Sequence, residues 1–118
     1  MAYKILSTED DESIRKVLKY RLQKQGGYEI TYASAAEDVL KQLSGIDLLI
    51  LDSSPDKKGN ELCAKIRELG CSIPIIILSA QAQNKDIEEG LGTGANSYLT
   101  KPYDAQKLLE EIKRVIGK

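Results

Sequence analysis

Four stretches of this 118-residue chain hold side chains able to do chemistry together. Glu9, Asp10 and Asp11 form an acidic run near the start. Asp52 closes one apolar run, Ser79 closes another, and Lys101 stands before Pro102 near the end. Two carboxylates ~4 Å apart repel by about 4 kcal/mol at an effective dielectric of 20, so such a group takes up a proton or a cation. Hard oxygen ligands with open positions suit Mg²⁺, which keeps some of its waters and uses few protein carboxylates. Beside a divalent ion, Asp52 can attack a phosphoryl group and form an acyl phosphate. Lys101 supplies a point charge for a phosphoryl oxygen, and Ser79 a hydroxyl donor for another.

Composition removes several competing chemistries. The chain has no His, Trp or Phe. Without His there is no Ser-His or Cys-His nucleophile pair and no His-ligated zinc. Cys63 and Cys71 lack metal-ligand spacing and read as buried small hydrophobes or reduced loop thiols. With 17 basic and 18 acidic residues, the chain lacks the basic excess that neutralising a phosphate backbone requires, so direct nucleic-acid binding by this domain is not expected. A hydrophobic fraction of 42% argues against disorder. No apolar run is long enough to span a membrane. The start runs directly into an apolar strand pattern, from which no signal peptide and a cytoplasmic location are expected.

Five alternations of apolar run and amphipathic stretch must position these residues. Tyr3 to Ser7 predicts a first strand. A helix follows with Ile14, Val17, Leu18 and Leu22 on its inner face, opened by Asp10, Asp11 and Glu12 and stopped by Gly26-Gly27. Tyr28 to Ala33 reads as a second, edge strand. Ser34 can cap a second helix that buries Ala36, Val39, Leu40 and Leu43 and ends at Gly45. Ile46 to Leu51 contains the continuous apolar run Leu48 to Leu51, and Ile75 to Leu78 is another, as in strands covered on both faces. A polar loop follows Asp52, and the third helix turns Leu62, Cys63, Ile66 and Leu69 inward. A fourth helix spans about Asn84 to Leu91, a fifth strand Asn96 to Thr100, and a last helix Asp104 to Ile116. Strict βα alternation predicts one α/β domain over residues 1–118, a doubly wound (βα)5 three-layer sandwich around a five-stranded parallel sheet. In such sheets ligands gather at the carboxyl ends of the strands, where the chemical residues fall.

The segments Ile-Leu-Ser-Thr-Glu-Asp-Asp-Glu-Ser-Ile-Arg (5–15), Asp-Leu-Leu-Ile-Leu-Asp (47–52), Ile-Pro-Ile-Ile-Ile-Leu-Ser-Ala (73–80) and Gly-Ala-Asn-Ser-Tyr-Leu-Thr-Lys-Pro-Tyr (94–103) resemble the receiver domain of two-component response regulators, the CheY-like fold. The resemblance covers essentially the whole chain, with the blocks in matching order and spacing. It implies strand order 2-1-3-4-5 and a cis Lys101-Pro102 bond. Asp52 falls on the phosphoacceptor, and Asp10 and Glu9 on the acidic pair, Asp10 binding Mg²⁺ directly and Glu9 through water. Ser54 falls on the backbone-carbonyl ligand, Lys101 on the family lysine, Ser79 on the switch hydroxyl and Tyr98 on the switch aromatic. The implied partners are a sensor histidine kinase or phosphotransfer protein and a downstream protein or output domain, with dimerisation through the last helices left open. The implied activity is that of a phosphoacceptor catalysing its own phosphorylation and dephosphorylation, not of a conventional enzyme.

Two departures stand against the family pattern. Pro55 and Gly59 lie three and seven residues past Asp52 instead of four and eight, so the loop is one residue short and the Ser54 ligand is the position most affected. Glu9 replaces the usual Asp. The alternative reading is therefore a pseudo-receiver, an interaction module independent of phosphorylation. The G-x-G-x-x-A run at Gly90, Gly92 and Ala95 is not a dinucleotide site, because it closes a helix and precedes a strand.

Overall fold

Five apolar runs become five strands and the amphipathic stretches between them five helices. The computed structural model describes residues 3–9, 11–33, 36–53 and 58–116. In chain order the elements are β1 (Lys4–Ser7), α1 (Glu12–Gly26), β2 (Glu29–Tyr32), α2 (Ala36–Gln42), β3 (Leu48–Asp52), α3 (Lys58–Glu68), β4 (Ile75–Ser79), α4 (Asn84–Gly92), β5 (Ser97–Thr100) and α5 (Ala105–Ile116). The strands pair in parallel in the order β2-β1-β3-β4-β5, as the resemblance implies. The expected cap residue Ser34 lies outside the described residues.

Period-two alternation divides the core between the two sheet faces. Ile5, Leu48, Ile50, Ile76, Leu78 and Leu99 pack with Leu18 and Leu22 of α1 and Leu108, Leu109 and Ile112 of α5. Leu6, Leu49, Leu51, Ile75 and Ile77 pack on the opposite face with Val39 of α2 and Cys63 and Ile66 of α3. Because β3 and β4 are covered on both sides, their apolar runs are unbroken, whereas the edge strand β2 exposes Glu29 and Thr31.

Four inward assignments do not hold. Ile14 and Val17 are exposed, Val17 to 57%, because α1 rests on the sheet through Leu18 and Leu22 alone. Ile14 and Val17 instead wall a surface groove with Pro102 and Tyr103. Leu69, at 62%, lies just past the end of α3, where the chain turns at Gly70 (φ +83°). Ala36 is exposed at the first turn of α2. Both cysteines are free, Cys63 buried and Cys71 half-buried. Among the described residues no helix is long and apolar enough to cross a membrane.

Candidate functional site

All five strands point their carboxyl ends to one edge, and backbone pairing continues beyond them. Thr8 N donates to Ile50 O (3.1 Å), Ser53 N to Leu78 O (2.8 Å) and Lys101 N to Ser79 O (2.8 Å). This continuation fixes the residues after β1, β3, β4 and β5 relative to one another. Asp52 is the last residue of β3, and its amide donates to Thr8 Oγ1 at 2.9 Å. The Asp52 carboxylate faces Lys101, with Nζ 2.5 Å from Oδ2. Both side chains are largely sheltered, at 16% and 25% exposure, so water screens the pair less than it would a surface ion pair. The Lys101-Pro102 peptide is cis.

Glu9 is buried at 3% exposure. Its amide donates to Ser7 Oγ (3.2 Å), its Oε2 accepts from Asp11 N (3.0 Å), and its carbonyl accepts from Arg15 Nε. Arg15 lies 4.9 Å above the Tyr32 ring, and the Tyr32 hydroxyl donates to Arg15 O at 2.8 Å. Asp11 caps α1 by accepting from Ser13 N and Ile14 N. The second carboxylate oxygen of Glu9, Oε1, is buried and has no hydrogen-bond partner among the described residues. Buried polar atoms are almost always satisfied, and an orphaned carboxylate oxygen is the natural partner of a cation. The expected ligands Asp10 and Ser54 lie outside the described residues. The groups present, an orphaned Glu9 oxygen and the Asp52 carboxylate, are hard oxygen donors of the kind Mg²⁺ takes.

Tyr103 adds a hydroxyl that the sequence reading did not assign. Burial, reinforced by the Glu9 and then the Asp52 carboxylate, pushes its pKa up to about 12, which places the phenol within the field of both acids. A groove of about 630 Å³ begins here, lined by Glu9 and Lys101 and walled by Ile14, Val17, Leu18, Pro102 and Tyr103.

Ser79 is fully buried at the end of β4. Its Oγ accepts from Gln81 N (3.1 Å) and lies 3.2 Å from Gln81 Oε1. The Tyr98 hydroxyl donates to Gln81 O at 2.8 Å, so Gln81 joins the two proposed switch residues. Thr8 and Gln81 were missed from sequence, although each lies within two residues of a strand end and that rule finds both.

The shortened loop is anchored at both described ends. Buried Ser53 donates to Asn60 Oδ1 (2.8 Å) and accepts from Asn60 N (3.0 Å). A Cβ on Gly59 would lie 2.9 Å from Ser53 Cβ and 3.0 Å from Asp52 O, so α3 begins where only glycine fits against the acceptor strand.

A family model described as the response regulator receiver domain matches residues 5–113. The alkaline phosphatase synthesis transcriptional regulatory protein PhoP of Bacillus subtilis is 34% identical over 119 residues, covering 98% of this chain and 49% of that protein. The nisin biosynthesis regulatory protein NisR of Lactococcus lactis is 34% identical over 115 residues, covering 96% and 50%. The chain spans about half the length of the curated relatives it matches. Among solved structures, the BeF3-activated receiver domain of DrrB from Thermotoga maritima superposes with a TM-score of 0.84 at 28% identity over the whole of both chains. A CheY-like receiver domain protein of Methanospirillum hungatei gives 0.84 at 29% identity, covering 99% and 95%.

Proposed function

The chain belongs to the response regulator receiver domain family of two-component systems, and on that premise we propose that Asp52 accepts a phosphoryl group from a histidine kinase or phosphotransfer protein in a Mg²⁺-dependent reaction. The observation that carries this reading is the Asp52–Lys101 pair beside a buried Glu9 with an unpartnered oxygen. In the transfer an Asp52 carboxylate oxygen bonds to phosphorus while the phosphorus–nitrogen bond to the donor imidazole breaks. The leaving nitrogen keeps the electron pair. Lys101, already at hydrogen-bond distance from Asp52, is placed to hold a phosphoryl oxygen. Ser79 takes another by exchanging its contact with Gln81. Mg²⁺, held by Glu9 and Asp52 with Asp10 and the Ser54 carbonyl, would neutralise charge on the incoming group.

Transfer back to water is the chain's own chemistry under this reading, and no separate enzyme activity is assigned. The groove walled by Ile14, Val17, Pro102 and Tyr103 gives a donor protein an apolar footing beside the acceptor. Phosphorylation then biases the Ser79–Gln81–Tyr98 contacts toward one arrangement and changes the face that a downstream protein or output domain reads.

Incubation with Mg²⁺ and a small acyl-phosphate donor, followed by intact mass measurement, tests the proposal. One phosphoryl adduct is expected, absent in Asp52→Asn and in chelator. No adduct together with no heat on Mg²⁺ titration would leave the chain as an interaction module.

A further inference from the structure

Gly90 is buried inside α4 and is not among the glycines with positive φ, so its backbone conformation does not call for glycine. Glycine within a helix is disfavoured relative to alanine, so the position has another reason. A Cβ at residue 90 would lie 2.5 Å from both Cδ2 and Cε2 of Tyr98, with Ile77 Cδ1 next at an ordinary 3.7 Å. The Tyr98 ring thus occupies the space a single methyl group would take. In that position its hydroxyl reaches Gln81 O at 2.8 Å, and Gln81 in turn contacts the Ser79 hydroxyl through its amide and side chain.

We propose that Gly90 is the positioning residue for Tyr98: its missing side chain lets the ring lie against α4, which sets the hydroxyl on Gln81 and links the α4 face to Ser79. The steric half of this inference stands on contacts alone, and the link to phosphorylation rests on the function proposed above. A methyl group at residue 90 conflicts with the edge of a half-buried ring, which can yield by rotating outward. Rotation breaks the bond to Gln81.

The test uses the whole chain labelled with 3-fluorotyrosine, the Tyr98 resonance being assigned by its loss in Tyr98→Phe. Gly90→Ala is expected to move the Tyr98 resonance and to lower Tm. In a Tyr98→Ala background the same substitution is expected to raise Tm, because only helix propensity then acts on it. If Gly90→Ala raises Tm in both backgrounds and leaves the Tyr98 signal in place, the steric half is overturned. Neither readout needs a phosphoryl group, so failure of Asp52 to accept one leaves this result standing. Where intact mass shows the adduct, the Tyr98 signal is expected to shift with it in the native chain and not in Gly90→Ala. An adduct that leaves the native Tyr98 signal unmoved would overturn the link.

Discussion

Lys101 Nζ stands 2.5 Å from Asp52 Oδ2, so the carboxylate read as the acceptor already has a cation against one oxygen. The ammonium therefore has two opposed effects. It repels a divalent ion at the same carboxylate, and it attracts the negative oxygens of a phosphoryl donor. Lys101→Met should tighten Mg²⁺ binding by about tenfold, the order of a Coulomb term between charges several ångströms apart in a partly wet pocket. The same substitution should lower adduct yield at least about tenfold through loss of a charge-assisted hydrogen bond. Calorimetry and intact mass on one preparation check both signs. Metal affinity and adduct yield falling together would show that the lysine only maintains local structure.

Glu9 gives a second, independent test. Glu9→Gln keeps an amide oxygen for Asp11 N but puts a donor where Oε1 now lies without a partner. Mg²⁺ affinity should fall by about 10–100-fold, the range for disturbed ligand shells. Stability without metal should hold or rise, because a buried carboxylate charge is gone. Calorimetry and urea unfolding in chelator measure the two quantities. Unchanged affinity would place the ion elsewhere.

The loop after Asp52 is held by Ser53 and Asn60, and removing that contact should cost stability. Ser53→Ala leaves Asn60 with a buried oxygen and a buried N–H that both lose their partner, a loss of about 1–3 kcal/mol. Gly59→Ala meets backbone atoms of Asp52 and Ser53 that cannot swing away, and about 1–3 kcal/mol is expected despite alanine's better helix propensity. Urea midpoints measure both. A neutral Gly59→Ala would mean that α3 can withdraw from the acceptor strand.

Acid stability should depend on Glu111. The hydrogen bond from Arg114, then that from Ser97 (Oγ to Oε1, 2.6 Å), hold its carboxyl below the ordinary 4.5. Between the folded and unfolded pKa values the unfolded chain binds more protons, so stability rises with pH there. The contribution is full above about pH 4.5 and is lost as pH falls through the folded value. Glu111→Gln should flatten that part of the stability profile, as read from urea midpoints across the acid range. An unchanged slope would show that the contacts do not survive in solution.

Much of this arrangement was legible in the sequence because parallel sheets bury their central strands on both faces. Leu48 to Leu51 and Ile75 to Leu78 could be little else, and the residues after them had to share one edge. The same logic placed Asp52, Ser79 and Lys101 together. Periodicity was less informative about α1, where Ile14 and Val17 fall on the apolar side of the helix but extend past the sheet and form a groove. Hydrophobic pattern identifies an apolar stripe without saying what lies opposite it. Nor does it register contacts made by a hydroxyl, an amide or a missing methyl, which is why the Ser53–Asn60 pair and the role of Gly90 become visible only in the folded chain. The strand order and the cis Lys101-Pro102 bond came from the family resemblance, not from the residues alone.

The most direct test of the acceptor is chemical trapping. After incubation with Mg²⁺ and a small acyl-phosphate donor, borohydride reduces an aspartyl phosphate to the alcohol, and peptide mapping locates the changed residue. Conversion at Asp52 alone, dependent on Mg²⁺, is the predicted result. Conversion at another carboxylate, or a phosphoryl group that resists borohydride and maps to Ser53 or Ser79, would contradict it.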